Sequence, residues 1–450
     1  MGAWLPRIIL WLAFTVQVAA FSDGWDEWCL WCVPLATGLA GLLVGARPWF
    51  CGSDLFWLVY LLLFAVAPSS QFEYDRFLGE LSVRGLTFTW PAIQATVGAV
   101  SVFGMCAVIV QRILRPLRFD QDQPVAEGPT ASATQVSVLL LTNAFLLATI
   151  LAGLDTWRFI IEGRNYPARL FSEANSISTL VNAFYQLIPL AAFLLALDRW
   201  LQVRSPWDRN RLLIAGVFLA MFSNPFNTAR FQMAAVLFIL GMFLWRGRLP
   251  LGVSIAGILL LLLVLMPVMN GLRRGVSAGL EVDLAATGYR HLDFDSFSMA
   301  AHGMVRAEDP SFGTPGRYLI SGFLFFVPRS LWPEKAQPSS IDLGRDLMAH
   351  AQGWFDNLAT PVFVDFYFDL GWLGVALGGA LVGWAVASSD RVIDAWGTAT
   401  FRARILACSW IGFLPIVLRG SLGAVIGYFV GAAAVFLTVD ALVRWTARRR

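Results

Sequence analysis

Charged residues are scarce in this 450-residue chain, and lysine is almost absent. Charged side chains make up 14% of the residues against 57% hydrophobic ones, and Lys335 is the single lysine. A soluble domain of this length would need more charge to cover its surface. Repeated apolar runs near the ~20 residues that cross a bilayer instead indicate a polytopic membrane protein. Since backbone groups in lipid need internal partners, we expect an all-α fold.

Motifs of several enzyme classes are also missing. The three histidines show neither a His-x-x-His nor an HExxH spacing, which disfavours a metal site. No Gly-rich phosphate loop, Ser-His-Asp signature or nucleic-acid-binding pattern is present. The five cysteines lie at or in apolar segments, so Cys29 and Cys32 fit helix packing better than a redox pair. We therefore expect no metal and no nucleic-acid partner.

Twelve apolar segments are candidate spans, with a long polar stretch between the ninth and the tenth. The chain thus divides into a first transmembrane part (1–269), a large loop (270–360) and a second transmembrane part (361–450). The segment pairs that meet at Arg230 and at Arg419 are short and could be bent or re-entrant. The segments cover residues 5–21, 29–46, 54–69, 89–110, 135–153, 180–198, 211–229, 231–245, 249–269, 361–387, 404–418 and 421–443.

Arginine asymmetry predicts the orientation of these spans. With both termini inside, the inner segments carry 18 arginines and the short outer segments carry 7. Because short inner loops are the ones enriched in basic residues, we expect a topology with both termini in the cytoplasm. The loop 270–360 then lies outside. A loop of this size is often functional, although it could be a cap that only covers helix ends.

Several basic residues fall near the outer ends of spans, where a charge is costly without a partner. Arg230 and Arg419 each sit between two apolar runs, Arg274 follows the ninth span, and Arg329 and Lys335 flank a Trp-Pro pair. Each could extend to lipid headgroups or pair with a nearby acid. As a set, they predict a cationic pocket for an anionic headgroup or lipid diphosphate, which arginine can bind through two hydrogen bonds.

Acidic residues and histidines of the same loop are candidates for a general base. Asp295, His350 and Asp356 are of residue types that can accept a proton from a sugar hydroxyl within hydrogen-bond distance. Trp332 fits the aromatic belt of a membrane interface, and it could also serve as a stacking platform for a sugar.

Residues 325–340, FFVPRSLWPEKAQPSS, carry a family resemblance. They resemble the Ile/Val-Pro-Arg-x-x-Trp-Pro-x-Lys-Pro signature of the O-antigen polymerase (Wzy) family. Residues 358–383, LATPVFVDFYFDLGWLGVALGGALVG, resemble the span that follows it in that family. The departure is Ala336, where the family often has proline, and Pro338 follows two residues later. The similarity is concentrated in residues 290–390.

The resemblance implies a helical fold similar to the lipid-linked glycosyltransferase (GT-C-like) class, in the bacterial inner membrane. It also implies an activity at the periplasmic face. A glycan growing on undecaprenyl diphosphate is transferred to the terminal sugar of a new lipid-linked repeat unit, without a metal or other cofactor. Direct displacement predicts inversion at the anomeric carbon. Membrane lipids, a chain-length regulator and a flippase are the further partners that it implies.

Two other functions remain open from the sequence. An O-antigen ligase would have a similar shape and a similar cationic pocket. A lipid-linked oligosaccharide flippase would move the substrate without forming bonds, but no internal repeat is evident, as many transporters would show.

Overall fold

A computed structural model describes residues 4–22, 24–77, 82–83, 86–114, 136–145, 175–223, 230–260, 295–309, 312, 314–327, 329–350 and 360–448. These residues are mostly helical. The helices are α1 (Leu5–Phe21), α2 (Trp25–Gly45), α3 (Gly52–Leu61), α4 (Ala67–Phe77), α5 (Trp90–Leu114), α6 (Val136–Phe145), α7 (Asn175–Val203), α8 (Pro206–Phe222), α9 (Arg230–Leu244), α10 (Leu251–Leu260), α11 (Ser296–Arg306), α12 (Arg317–Phe323), α13 (Ser339–His350), α14 (Val362–Asp394), α15 (Phe401–Val417) and α16 (Leu422–Arg448).

Two connections complete the described secondary structure. A π-helical turn, Leu62–Val66, joins α3 to α4 without a break. Two strands of two residues each, β1 (Ser82–Val83) and β2 (Leu86–Thr87), pair antiparallel between α4 and α5. The prediction of a helical membrane protein is confirmed, and this small hairpin is the one departure from helix and loop within the described residues.

The structure describes fewer long apolar helices than the twelve predicted spans. Within the described residues, four helices are long and apolar enough to cross a membrane: Trp25–Gly45, Gly52–Phe72, Trp90–Leu114 and Val362–Asp394. Each of the twelve predicted segments overlaps a helix, but several of these helices are short. For example, α1, α8 and α15 have 17 residues each, below the ~20 residues of a typical span. Twelve crossings and their orientation therefore stay predictions.

Glycines bring α5 and α14 into close contact. A Cβ atom added at Gly379 would lie 2.1 Å from the carbonyl oxygen of Phe103, and one at Gly383 would lie 2.5 Å from that of Ala107. No side chain fits at either position, so the two backbones touch along a Gly-x-x-x-Gly face. Such small-residue faces are typical of helix packing within membranes. This contact anchors α14, which carries the candidate site at its start.

Buried ion pairs tie one end of the helix bundle together. Arg7 donates to Asp54 through Nε and Nη2 at 2.5 and 2.6 Å, and its Nη1 donates to the carbonyl oxygen of Arg47 at 2.8 Å. The Arg47 guanidinium in turn contacts Asp390 at 3.1 Å and Asp394 at 2.6 Å. Buried ion pairs thus join α1 to the start of α3 and the end of α14.

The described part of the large loop packs onto the opposite end of the bundle. A Cβ atom at Gly303 would lie 2.6 Å from the Val364 side chain, and the rings of Phe312 and Tyr318 lie 6.0 and 5.3 Å from that of Phe368, so these contacts fall on the start of α14 rather than near Asp390. The α11 helix contacts α2 and α4 through an aromatic group in which the ring of Phe297 lies 5.3 Å from Trp31 and 5.9 Å from Phe72. The described residues between 295 and 350 therefore pack against helices of the bundle. The division of the chain at 270 and 360 stays a prediction.

We expect the substitution Asp54→Asn to destabilise the protein strongly, because it leaves the buried Arg7 guanidinium without its carboxylate. Breaking one partner of a buried ion pair costs about 3–5 kcal/mol. The measurement is the thermal midpoint of the purified protein in detergent, with Asp26→Asn as a matched control at an exposed position. The double substitution Arg7→Met, Asp54→Leu should recover part of the loss. An unchanged midpoint for Asp54→Asn would contradict the structural role of this pair.

Candidate functional site

Lys335 holds the loop that follows α12. Its Nζ atom donates to the carbonyl oxygens of Leu324, Phe325 and Val327 at 3.0, 2.7 and 3.0 Å. These carbonyls follow the last turn of α12, where a helix leaves its acceptors without partners. The three bonds match the three N–H groups of an ammonium group, and burial, followed by the charge of Arg329, lowers the pKa of Lys335. In this conformation the lysine acts as a cap for the helix end.

Arg329 also bonds to the main chain of this loop. Its Nη1 and Nη2 donate to the carbonyl oxygens of Lys335 and Ala336 at 2.7 and 3.2 Å. A guanidinium has five N–H groups, so these two bonds leave donors for a ligand. Arg329 and Lys335, both predicted to bind a diphosphate, thus differ: Lys335 would have to exchange its carbonyl bonds for a ligand, whereas Arg329 would not.

A cluster of charged side chains forms around Asp342, beside this loop. Arg317 Nη2 and the Tyr318 hydroxyl each lie 3.2 Å from Asp342 Oδ2. Burial raises the pKa of the Asp342 carboxyl, and the positive charges of Arg317, Arg345 and Arg329 oppose that shift. We call these five residues the Asp342 cluster. Three guanidinium groups and one hydroxyl thus act on this carboxyl.

Two carboxylates on the first turns of α14 position the helices around the cluster. Asp369 accepts hydrogen bonds from the main-chain N–H groups of Tyr318 and Leu319 at 3.2 and 2.6 Å, at the start of α12. Asp365 accepts one from Leu422 N at 2.5 Å, at the start of α16. Carboxylates are favourable at helix N-termini, where N–H groups lack partners and the helix dipole is positive.

A break in α14 separates these two carboxylates from the rest of the helix. Gly371 has φ 59° and ψ −145°, a conformation that glycine takes easily and other residues rarely do. The short segment 362–370 therefore runs in a different direction from the rest of α14. It carries Asp365 and Asp369 to α16 and α12.

An apolar cavity of about 250 Å³ lies between α14, α15 and α16. Phe323, Val362 and Leu422 form its end beside α12, and Trp410 and Phe429 line it farther along. Its walls are almost wholly hydrophobic. Since α12 has seven residues, Arg317 at its start lies about 10 Å from Phe323 at its end. An apolar cavity therefore ends one short helix away from the Asp342 cluster.

The remaining predicted site residues fall in several places. Arg419 is half-buried in the turn before α16, where Ser421 contacts Ser340 at 3.1 Å. Trp332 is half-exposed next to the Arg329 loop. Arg230 is the first residue of α9 and His350 is the last of α13, and the structure does not describe their side chains. Arg274 and Asp356 lie outside the described residues.

Asp295 is buried at the start of α11, and that helix meets α13 through a separate ionic contact. His302 Nε2 and Arg306 Nε lie 2.9 and 2.7 Å from Asp346 Oδ2. Asp295 was a candidate from the sequence, whereas this contact was not. The structure thus places Arg329 in the Asp342 cluster with Lys335 beside it, and Asp295 at the start of a neighbouring helix.

Arg317, Asp342 and Arg345 are absent from the sequence-based candidates. The available signal was the spacing of Asp342, Arg345 and Asp346, which share one face of a helix at i, i+3 and i+4. Nothing in the sequence indicated that this face meets Arg317 and Tyr318, because that contact joins two elements. In the part of the chain that the structure describes, His, Cys, Asp and Glu side chains form no group of three or more suited to a metal.

We expect Lys335→Met to lower the stability of the protein. The change keeps most of the side-chain volume but removes a donor from three carbonyl groups, of which that of Phe325 makes a buried bond, and leaving a buried acceptor unsatisfied costs about 1–3 kcal/mol. The thermal midpoint in detergent measures this, with the exposed neighbour Glu334→Gln as control. A variant with an unchanged midpoint would argue against the capping role and favour a role in binding.

Comparison with known proteins leaves the function to be argued from the site. No family model, no curated protein and no solved structure matches this chain. The family resemblance of residues 325–340 and 358–383 therefore stays a prediction. What the chain itself provides is a cluster that contains three arginines, held by capped helices, one short helix away from an apolar cavity in a helical membrane protein.

Proposed function

We propose that this chain is a polymerase of oligosaccharide repeat units linked to undecaprenyl diphosphate. It would act as a glycosyltransferase in the bacterial inner membrane, with its site at the periplasmic face. The growing glycan leaves its lipid diphosphate carrier and joins the terminal sugar of a new lipid-linked repeat unit. The product would be an O-antigen, a capsule or an exopolysaccharide.

The observation that carries this proposal is the pairing of a cationic cluster with an apolar cavity. A lipid diphosphate has an anionic head and a long hydrocarbon chain, and the two sites suit these two parts. Arg317 and Arg345 of the Asp342 cluster supply planar donors for phosphate oxygens. The cavity that ends at Phe323 supplies a dry hydrophobic surface at a distance of about 10 Å.

The arginines would act on the leaving group. As the acceptor hydroxyl oxygen bonds to the anomeric carbon, the bond from that carbon to the diphosphate oxygen breaks, and negative charge grows on the diphosphate. Arg317, Arg329 and Arg345 would stabilise this charge, with Arg419 in the adjacent turn. Removing one preorganised donor of this kind lowers the reaction rate by about 10²–10³-fold. Undecaprenyl diphosphate is released, and displacement in one step inverts the anomeric centre.

The proton of the acceptor hydroxyl needs a base within hydrogen-bond reach. Asp295, His350 and Asp356 are the candidates from the sequence. Asp342 is a further one, because it lies inside the cluster and burial raises its pKa toward the range in which a carboxylate accepts protons. Loss of this base would lower the rate of chain extension and leave substrate binding less affected.

The test reconstitutes the full chain in liposomes with lipid-linked repeat units from cells that lack it. We expect a ladder of polymer lengths, and we expect Arg317→Ala and Arg345→Ala each to slow its formation by about 10²-fold or more. Arg209→Ala, an exposed arginine on α8, is the matched control. Thermal midpoints show whether the variants stay folded. Ladders unchanged in both site variants would contradict the placement of the site.

The same liposomes separate the other functions. Bond formation that appears only after addition of a lipid A core acceptor would identify a ligase. Movement of the intact lipid-linked repeat unit across the bilayer without a ladder would identify a flippase. A ladder that persists in the presence of a chelator is the result expected from the predicted independence of metal ions, and loss of the ladder would contradict it.

A further inference from the structure

A short segment of the predicted outer loop exposes large apolar side chains. Ile320 is 52% exposed, Phe323 52%, Phe326 61% and Leu331 78%. They lie within 12 residues of one another, on α12 and the loop after it. A cluster of this kind on a surface facing water would be unfavourable and normally marks an interaction site. The segment therefore needs an apolar partner.

Several backbone carbonyl groups in and just after this segment are paired within the chain. Lys335 and Arg329 together donate to five carbonyl oxygens, those of Leu324, Phe325, Val327, Lys335 and Ala336. At the other end of α12, Asp369 accepts from two N–H groups. Non-helical backbone is tolerated at membrane depth only where its polar groups are paired inside the protein. A loop in water would not require the side chains of Lys335 and Arg329 for this purpose.

The neighbours of this segment are apolar helices. The α12 helix packs on α14 and α16, and a Cβ atom at Gly322 would lie 2.9 Å from the Leu422 side chain. Asp369 bonds to Leu319, and the residues after it on α14, Leu370, Trp372 and Leu373, are 46%, 46% and 66% exposed. The exposed apolar surface of α12 is thus continuous with that of a helix long enough to span a bilayer.

We propose that residues 317–332 are embedded in the membrane and that the partner of their apolar side chains is the acyl-chain region of the bilayer. Ile320, Phe323, Phe326 and Leu331 contact lipid chains, and Trp332 and Arg329 mark the headgroup level, where such residues are favoured. The predicted loop 270–360 is then partly intramembrane. This inference does not depend on the proposed enzymatic activity.

Spin labels on the full chain in phospholipid liposomes test the proposal. The background replaces the exposed and half-exposed thiols, Cys29, Cys32 and Cys106, by serine and keeps the two buried ones. Labels are then attached at single substitutions: Ile320→Cys, Phe326→Cys and Leu331→Cys in the segment, Glu334→Cys as an exposed polar control nearby, Leu373→Cys as the lipid reference and Thr398→Cys as the water reference.

The measured quantity is the accessibility of each label to oxygen, which concentrates in lipid, relative to a water-soluble nickel complex. We expect the labels at 320, 326 and 331 to shift toward oxygen, as at 373, whereas the label at 334 stays closer to that at 398. Nickel accessibility at 326 and 331 equal to that at 398 would overturn the proposal. Exclusion of both agents together with spin–spin coupling would also overturn it, because a second copy of the chain would then cover the segment.

A photoreactive group in place of Phe326 gives a second readout that needs no cysteine background. Benzophenone at this position reacts with the nearest C–H bond, so a membrane-embedded segment yields an adduct with the mass of a phospholipid. An adduct with protein alone would argue against lipid contact. The same group in place of Phe243, which is buried in the core, is the matched control and is expected to yield no lipid adduct.

Discussion

Hydrogen bonds from helix N-termini to Asp365 and Asp369 determine the arrangement of the candidate site. The two carboxylates are one turn apart on α14, and each accepts from the start of a different helix, α16 and α12. The N–H groups at the start of a helix have no partner within it, and these carboxylates supply acceptors for three of them. Because α12 carries Arg317 at one end and Phe323 at the other, its position fixes both the Asp342 cluster and the end of the apolar cavity.

Charges in this fold sort into two kinds according to their partners. Arg7 and Arg47 each contact buried carboxylates, and Arg404 lies 3.2 Å from the buried Asp198. Lys335 is bonded to carbonyl oxygens. These cations hold helices and loops together. In the Asp342 cluster, by contrast, three guanidinium groups act on one carboxyl from positions that are at least partly exposed, where they can also reach an anionic ligand.

The sequence predicted the features that depend on residues close together along the chain. Each of the twelve apolar segments overlaps a helix, and the segment 325–340 was singled out from its sequence. The roles within it were not accessible, since Lys335 bonds to carbonyls 8 to 11 residues earlier and a side chain's charge does not indicate which acceptor it reaches. Likewise, the four-residue spacing of Asp365 and Asp369 places them on one helical face, but their partners, α12 and α16, come from different parts of the chain.

The placement of α12 connects the two proposals without making one depend on the other. Phe323 lines the apolar cavity and is also half-exposed on the outer surface of the bundle. If residues 317–332 are embedded, this side chain lies between the cavity and the surrounding lipid, at the depth where the hydrocarbon chain of a lipid-linked substrate begins. Such a substrate would approach sideways from the bilayer, with its head already level with Arg317. A site above the membrane would instead require the lipid to be drawn out, at about 0.8 kcal/mol for each CH₂ group that leaves the hydrocarbon.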